Sequence, residues 1–343
     1  MSLVPFLHRV TDGGNLTAAD AEGAMSVILG GEASTALTAA FLVALRMKGE
    51  TVEEVLGFAR AMRARVYRVD PGPGPVVDTC GTGGDGQGTF NISSVAALVA
   101  AGAGVKVAKH GNRSISSACG SADVFEGLGV GIQASPELMG RAIREIGIGF
   151  LFAPLLHPAM KHAQPARLEL KMRTVFNLLG PLTNPAGAQA QLVGAPSIAA
   201  AELMAKALAA LGLERGFVVH GSDGLDEITT TGPTAVFEVS GGEVARREWS
   251  PADFGVEPAR PEDLGGGDRD ANCAIARAIL DGAESGPRRD IVVANAAAVL
   301  VASGAAAGLR EGVERARESI ASGAARGKLE QLGRMTGQGM AAV

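Results

Sequence analysis

One segment in the first third of the chain combines the residue types that bind a polyphosphate. Five glycines fall within the eight positions 81–88, followed by an Asn-Ile-Ser-Ser run and later by Lys-His-Gly-Asn-Arg at 109–113. Glycine permits positive φ angles and lets backbone N–H groups approach an anion, while helix N-termini and basic side chains add positive charge. No acidic residue occurs between Gly86 and Ala122. This segment therefore predicts a pocket for a polyphosphate.

The GTGGDG run at positions 81–86 also fits the dinucleotide pattern G-x-G-x-x-G. That fingerprint further requires an acid about 20 residues on, at the end of the next strand, to hold ribose hydroxyls. Here the corresponding position is Lys109, and the next acid after Asp85 is Asp123. A P-loop is excluded as well, because no Gly-Lys-Ser/Thr follows the glycines. A hydride-transfer cofactor is therefore disfavoured.

The adjacent acids Asp226 and Glu227 are candidates for binding a cation. Neighbouring carboxylates repel each other unless positive charge lies between them. Mg²⁺ is commonly held by one or two carboxylates together with waters and substrate phosphates. An acidic surface turn explains such a pair equally well when it is seen alone. The predicted polyphosphate pocket favours the Mg²⁺ hypothesis.

Arginines at 167 and 173 lie in a charged, helix-like stretch, where they could simply be surface charges. Arginine is nevertheless the preferred partner of a carboxylate, because its planar fork donates two parallel hydrogen bonds. Of the five histidines only His110 falls within a motif, and residue order suggests neither a Ser-His-Asp set nor a pair of general acids. No catalytic residue is predicted.

Composition indicates a globular protein with 343 residues, 47% hydrophobic and 20% charged, a length that favours two domains. The net charge of -5 and only 4% aromatic residues disfavour a nucleic-acid partner. Three scattered cysteines and a start without a signal-peptide pattern suggest a cytoplasmic location. The 19 uncharged residues at 291–309 are mostly Ala, Gly and Val, which favours a buried helix over a membrane span.

The elements that must position these residues change character at the Pro-Gly-Pro-Gly-Pro run, 71–75, which predicts a linker. Residues 16–70 have only helical patterns, with Thr51 as one N-cap. Beyond the linker, short apolar strands alternate with helices, which predicts a mainly parallel sheet covered by helices. The strands are expected at 76–78, 105–108, 149–152, 191–194 and 216–220, and a hairpin at 236–244 that turns at Gly241-Gly242.

Taken together, these motifs resemble those of the anthranilate phosphoribosyltransferase family of tryptophan biosynthesis. The resemblance covers nearly the whole chain and extends to GGEAS at 30–34, ALRMKGET at 44–51, TFNIS, GSADV, HPAMKH, FNLLGPLTNP and GLDE. It implies a glycosyltransferase that moves the phosphoribosyl group of 5-phosphoribosyl 1-pyrophosphate (PRPP) to the amine of anthranilate. The products would be N-(5-phosphoribosyl)anthranilate and pyrophosphate.

The resemblance also implies the domain organisation. A small all-helical domain would comprise residues 1–72 together with a later helical segment near 155–185. A larger α/β domain with a mainly parallel central sheet, residues 73–343, would bind PRPP. The family association further implies a homodimer formed through the helical domain, and it gives no reason to expect nucleic acid or membrane as a partner.

Site residues follow from the same resemblance, position by position. Anthranilate would contact Gly81, Asn112 and Arg167, and two Mg²⁺ ions per monomer would be bound by Ser93, Asp226 and Glu227. The residues expected to bind PRPP are Gly81, Gly84, Asp85, Thr89, Asn91, Ile92, Ser93, Ser94, Lys109, His110, Gly111, Asn112, Arg113, Ser114, Ile115, Ser116, Ser117 and Ser121.

Three positions depart from the family pattern. Ser94 stands where Thr is common and keeps the hydroxyl, Leu168 replaces a second basic residue, and Lys171 replaces Gly. If the backbone at 171 requires positive φ, a lysine there is sterically disfavoured. Two alternative functions are a pyrimidine nucleoside phosphorylase, which would use inorganic phosphate and a nucleoside, and a non-catalytic nucleic-acid-binding paralogue.

Overall fold

The computed structural model describes residues 2–114 and 119–337. It begins with helices, after which strands and helices alternate until the last three strands, which follow one another directly; the described residues end in further helices. The strands are β1 (Val77–Gly81), β2 (Val107–Gly111), β3 (Ile148–Phe152), β4 (Ala190–Gly194), β5 (Arg215–Gly221), β6 (Thr234–Ser240) and β7 (Glu243–Trp249).

The α-helices are α1 (Val4–Thr11), α2 (Ala18–Leu29), α3 (Thr35–Lys48), α4 (Val52–Arg63), α5 (Ile92–Gly102), α6 (Ser121–Gly127), α7 (Pro136–Glu145), α8 (Ala153–Leu156), α9 (Gln164–Leu170), α10 (Phe176–Leu179), α11 (Ile198–Ala210), α12 (Arg269–Leu280), α13 (Pro287–Ala302), α14 (Leu309–Ala321) and α15 (Ala324–Met335). Short 3₁₀ helices lie at Pro158–His162, Pro181–Thr183, Pro251–Phe254 and Pro261–Leu264.

The N-terminal helices begin at capping residues, as their sequence predicts. Thr51 caps α4, and its hydroxyl and the Glu54 carboxylate form a reciprocal capping box. Glu54 is fully buried and is compensated by the Lys48 ammonium at 3.0 Å and by the Leu16 N–H at 2.9 Å. A buried carboxylate is tolerated only when it is paired. The partners of Glu54 lie just before α2, at the end of α3 and at the start of α4, so this one acid links three consecutive helices.

The sheet has seven strands within the described ranges, in the order β3-β2-β1-β4-β5-β6-β7. Neighbours from β3 to β5 are parallel, whereas β6 and β7 are antiparallel additions. The mainly parallel sheet and the hairpin are therefore confirmed, and Gly241 and Gly242 form its turn with φ of 59° and 85°. The chain order reverses between β1 and β4, and ligands of open α/β sheets bind beside such a reversal.

Two of the parallel strands end three residues later than the sequence predicts. β1 continues past Asp78 to Gly81, and β2 continues past Ala108 to Gly111. In both cases the parallel ladder continues after the apolar pattern has ended, for example with Lys109 paired to Phe150. Lys109 therefore lies within a strand instead of in the following loop, and its side chain is buried.

Among the described residues, two hydrophobic cores support the sheet. One packs α5 and α13 against it, and all residues of α13 from Ile291 to Ala302 are buried. This confirms a packed helix for residues 291–302 of the uncharged stretch, whose residues 303–308 instead form a turn. Within the described ranges no helix has both the length and the apolar character needed to cross a bilayer. The other core runs from the N-terminal helices through α11 to the opposite face of the sheet.

Later helical segments pack against the N-terminal helices. α9 contacts α3, α10 contacts α4, and the 3₁₀ helix Pro158–His162 contacts α2. The backbone at the end of α9 is left-handed, because Lys171 has φ of 48° and ψ of 34°. Within the part of the chain that the structure describes, it is the only non-glycine residue with positive φ. Side chains other than glycine are disfavoured in this conformation by a clash involving Cβ.

Lys171→Gly should therefore stabilise the protein. We expect the free energy of unfolding to rise by about 1 kcal/mol, since glycine relieves the left-handed strain and the exposed Lys171 side chain gives up no buried contact. Urea denaturation would measure this. Lys206→Gly in the exposed part of α11 serves as the control and should lower the free energy by about 1 kcal/mol, the usual cost of glycine within a helix. A loss of stability in both variants would contradict the strain argument.

Candidate active site

At the centre of the site, the segment that contains Asp226 lies very close to the carboxyl ends of β1 and β4. Gly81 and Gly194 are paired in register at the carboxyl ends of β1 and β4. A Cβ on Gly81 would lie 2.4 Å from Oδ2 of Asp226, and a Cβ on Gly194 would lie 1.5 Å from the Asp226 carbonyl oxygen. Both positions therefore require glycine. The segment with Asp226 and Glu227 crosses directly over the point where the strand order reverses.

The two acids hold both anion-binding elements that the sequence predicts. Oδ2 of Asp226 accepts a hydrogen bond from the Gly83 N–H at 2.7 Å, and Oε1 of Glu227 accepts one from the Ser93 N–H at 3.1 Å. Gly83 belongs to the glycine-rich loop, and Ser93 lies in the first turn of α5. The structure thus brings the acid pair together with two elements that lie more than a hundred residues earlier in the chain.

The electrostatics of this pair favour a cation. Asp226 is 7% exposed and Glu227 is 8% exposed, and burial raises the pKa of both carboxyls. The negative charge of Asp85 raises the pKa of Asp226 further, and that of Asp226 does the same for Glu227. Within residues 2–114 and 119–337, no three His, Cys, Asp or Glu side chains could hold a metal by themselves. Two carboxylates completed by ligand oxygens is the donor set that suits Mg²⁺.

The glycine-rich loop has the backbone conformation that its composition predicts. Gly83, Gly84, Gly86 and Gly88 all have positive φ, between 68° and 78°. The loop is held from one side by Arg173, whose guanidinium donates to the Gly83 and Gly84 carbonyls at 2.6 and 2.9 Å. The sequence suggested Arg173 only as a possible partner of a carboxylate, and no local pattern links it to the carbonyls of a loop about ninety residues earlier.

Behind the loop lies a buried group of alternating charges. Lys109 is 2% exposed, and its positive charge opposes the rise that burial causes in the pKa of Asp78 and of Glu227. Asp78 is fully buried and accepts hydrogen bonds from the His110 N–H at 3.1 Å and the Asn184 side chain at 2.8 Å. Lys109 thus acts as a counter-ion within the site. Asp78 carried no sequence signal that distinguished it from core residues, and Asn184 was recognised only as part of the motif FNLLGPLTNP, without a role of its own.

A pair of histidines lies beside this group. Nε2 of His110 is 3.2 Å from Nε2 of His157, and both rings are buried. Burial lowers the pKa of His110 well below its usual value and lowers the pKa of His157 to about 4. Both imidazoles are therefore neutral at pH 7, and one ring donates its N–H to the other. His157, within HPAMKH, is a further residue that the sequence-based prediction missed.

The loop after β2 closes onto the start of α6. The Asn112 N–H donates to the Ser121 hydroxyl at 3.2 Å, which brings these two predicted residues together. The Arg113 guanidinium instead donates to Asp123 at 2.6 Å and to Glu126 at 2.9 Å. The predicted residues Ile115, Ser116 and Ser117 lie outside the described residues.

The predicted site residues at the start of α5 differ in how far they are buried. Asn91 donates to the Cys119 carbonyl at 3.2 Å and accepts from Asn272 at 3.0 Å, so its side chain links three segments. Ile92 and Ser94 are buried, and the Ser94 hydroxyl has no hydrogen-bond partner among the described residues. Ser93 remains half-buried. Thr89, at the end of the glycine-rich loop, forms an isolated antiparallel β-bridge with Gly265.

Arg167 lies apart from this hydrogen-bonded group. Its guanidinium carbon is 5.3 Å from the centre of the Phe176 ring, a cation–π arrangement. Burial lowers the pKa of Arg167, and in the described part of the chain no carboxylate lies within ion-pair distance of it. A half-buried guanidinium stacked in this way can bind the carboxylate of a ligand.

Comparison with known proteins agrees with this geometry. Residues 4–66 match the helical bundle domain of a glycosyl transferase family, and residues 73–326 match the a/b domain of that family. The anthranilate phosphoribosyltransferase of Solibacter usitatus is 64% identical over 97% of this chain and 98% of its own. The crystal structure of the Thermus thermophilus enzyme superimposes with a TM-score of 0.92 at 46% identity, covering 96% of this chain and 98% of that one.

The anthranilate phosphoribosyltransferase of Saccharomyces cerevisiae is a more distant relative, at 28% identity. Its structure in complex with PRPP and Mg has a TM-score of 0.88 and covers 97% of both chains. Its structure in complex with 4-fluoroanthranilate has a TM-score of 0.87 with the same coverage. The fold, the site and these similarities together show that the chain belongs to the anthranilate phosphoribosyltransferase family.

Proposed function

We propose that this protein is the glycosyltransferase of tryptophan biosynthesis that transfers the phosphoribosyl group of PRPP to the amine of anthranilate, releasing pyrophosphate. The observation that carries the proposal is the position of Asp226 and Glu227. They lie over the reversal point of the sheet and bond to both the glycine-rich loop and the start of α5. A metal–pyrophosphate complex requires this combination of carboxylates and backbone donors.

The reaction requires little acid–base chemistry from the protein. The anthranilate nitrogen forms a bond to the ribose carbon while the carbon–oxygen bond to pyrophosphate breaks and its electron pair leaves with pyrophosphate. Positive charge develops on the sugar ring, and the amine nitrogen then loses one proton to water or to the released pyrophosphate. Fixed donors and charges that stabilise the leaving group are the expected source of rate enhancement. The N–H groups of the glycine-rich loop and the start of α5 would bind the pyrophosphate, with Lys109 adding positive charge behind them.

The donor set fits Mg²⁺, which when bound neutralises charge on the departing pyrophosphate. We propose that Asp226 and Glu227, with Ser93, hold the ions, and that two bind per monomer. Support comes from the burial of both acids and the repulsion between them, which a cation would relieve. The yeast relative solved with PRPP and Mg is consistent with this assignment.

The substrate contacts expected from the sequence remain part of the proposal. PRPP would lie along the glycine-rich loop, the start of α5 and the loop after β2. Anthranilate would contact Gly81, Asn112 and Arg167, with its carboxylate on the Arg167 guanidinium. The neutral His110 and His157 would leave Arg167 as the positive partner of that carboxylate, since neither imidazole carries charge at pH 7.

Three further expectations concern the organisation of the protein. We propose that residues 1–72 and the segment near 155–185 form the helical domain and that residues 73–343 form the PRPP-binding domain. The contacts of α9 and α10 with α3 and α4 support this division. We also propose a homodimer formed through the helical domain and a cytoplasmic location.

The activity can be measured directly through the fluorescence of anthranilate. Purified protein with PRPP and Mg²⁺ should consume anthranilate, and omission of either should stop the reaction. Phosphorolysis of thymidine or uridine with inorganic phosphate tests the nucleoside phosphorylase alternative, and we expect none. Well-folded protein that leaves anthranilate unchanged would refute the proposed function.

Asp226→Asn combined with Glu227→Gln should raise the Mg²⁺ concentration needed for half-maximal activity at least about tenfold, or abolish turnover, because the metal loses both carboxylates. Glu53→Gln, which removes an exposed acid from α4, is the control and should leave the Mg²⁺ dependence unchanged. Activity of the double variant with the wild-type Mg²⁺ dependence would remove these acids from the metal site.

Arg167→Ala should raise the apparent KM for anthranilate by roughly tenfold or more, as expected for loss of a charge-assisted hydrogen-bonded pair. The KM for PRPP should change little, since Arg167 lies apart from the phosphate side. Steady-state kinetics with each substrate varied in turn would measure both. Arg60→Ala, at an exposed position of α4, is the control. An unchanged anthranilate KM would reject the role of Arg167.

A further inference from the structure

We propose that Arg173 is a positioning residue that orients the backbone N–H groups of the glycine-rich loop for pyrophosphate. This inference rests on the proposed function, in which that loop binds PRPP. Arg173 is not expected to touch the substrate. It would act through the loop, by fixing the peptide groups of residues that have no side chains with which to fix themselves.

The guanidinium of Arg173 covers three acceptors on three consecutive residues of the loop. It donates to the Gly83 carbonyl at 2.6 Å, the Gly84 carbonyl at 2.9 Å and the Thr82 hydroxyl at 3.1 Å. Such a set suits the planar fork of arginine, whose N–H groups point in fixed directions. The ammonium of a lysine is a single point charge and cannot reproduce this geometry.

These bonds determine where the loop N–H groups point. In a trans peptide the C=O and the following N–H lie in one plane and point in opposite directions. Because Arg173 holds the carbonyls of Gly83 and Gly84, the N–H groups of Gly84 and Asp85 face away from it. The Gly83 N–H is held separately by Asp226. Two successive N–H groups on one face of a positive-φ turn form a concave site for an anion.

The loop needs such an external restraint. Gly83 and Gly84 are exposed, and a Cβ on Gly83 would meet nothing within 4 Å, so packing does not hold the backbone there. Glycine also has the largest conformational freedom to lose on ordering. The bonds from Arg173 on one side and to Asp226 on the other therefore define the loop conformation.

Arg173 is itself held firmly in place. Its carbonyl accepts a hydrogen bond from the Arg46 side chain of α3. The next residue, Thr174, donates its N–H to the Asn177 side chain at 3.0 Å. Arg173 thus connects α3 to the glycine-rich loop. In this way a side chain outside the pocket determines the backbone conformation of the loop that lines it.

Arg173→Lys and Arg173→Ala test the proposal by steady-state kinetics. We expect the KM for PRPP to rise roughly tenfold to hundredfold, as for loss of charge-assisted hydrogen bonds, with the KM for anthranilate within about twofold of wild type. This pattern is the reverse of that expected for Arg167→Ala. Millimolar guanidinium ion should partly restore the PRPP KM of Arg173→Ala and should not affect Arg173→Lys, whose side chain fills the space. Arg246→Ala on the exposed edge strand β7 is the control.

Calorimetric titration with PRPP and Mg²⁺ separates this proposal from the proposed function. Wild-type protein that binds PRPP but does not consume anthranilate would refute the activity, while the weaker binding expected for Arg173→Lys would still support the positioning role. A folded Arg173→Lys variant with wild-type PRPP affinity would overturn the proposal. An equal rise in both KM values, without rescue by guanidinium, would also overturn it, because a general loss of structure does not discriminate between substrates.

Discussion

The site depends on the close approach of the Asp226 segment to the ends of β1 and β4. That approach is possible only because both strands end in glycine, and the strand order places Gly81 and Gly194 side by side. The approach buries two adjacent carboxylates, which is costly unless each finds hydrogen-bond donors. The N–H groups of Gly83 and Ser93 supply them. The acids therefore set the relative position of the two elements proposed to bind pyrophosphate.

Buried positive charges compensate the buried carboxylates of the site. The positive charge of Lys109 acts on the buried acids Asp78 and Glu227, and Arg173 opposes the effect of burial on Asp226. Lys109 does not extend from a surface loop, as a basic run in the sequence would suggest. Lys109 is held by its burial and Arg173 by its bonds to the loop, so their positive charges are already oriented before a ligand arrives. Such preorganisation is where electrostatic catalysis gains its advantage over water.

The sequence predicts the parts of the site whose signals are local. The glycine-rich loop, the acid pair and the start of α5 could be recognised from residue types and spacing, as could the parallel sheet and the hairpin. Gly194, Asp78 and Arg173 could not, because their roles depend on contacts with segments far away in the chain. The ends of β1 and β2 were placed too early for a related reason. Polar and glycine residues end the apolar pattern, whereas pairing with the neighbouring strand continues the ladder.

The strained residue Lys171 lies between two arginines with different partners. Arg167, within α9, stacks on Phe176, whereas Arg173, just beyond the left-handed residue, donates to the glycine-rich loop. The helix ends before Lys171, and Arg173 beyond it donates to the loop while its own carbonyl accepts a hydrogen bond from Arg46. Strained backbone conformations persist where the surroundings over-determine them. The bonds on either side of Arg173 provide that determination, so the left-handed turn at Lys171 accompanies the placement of the Arg173 guanidinium on the glycine-rich loop.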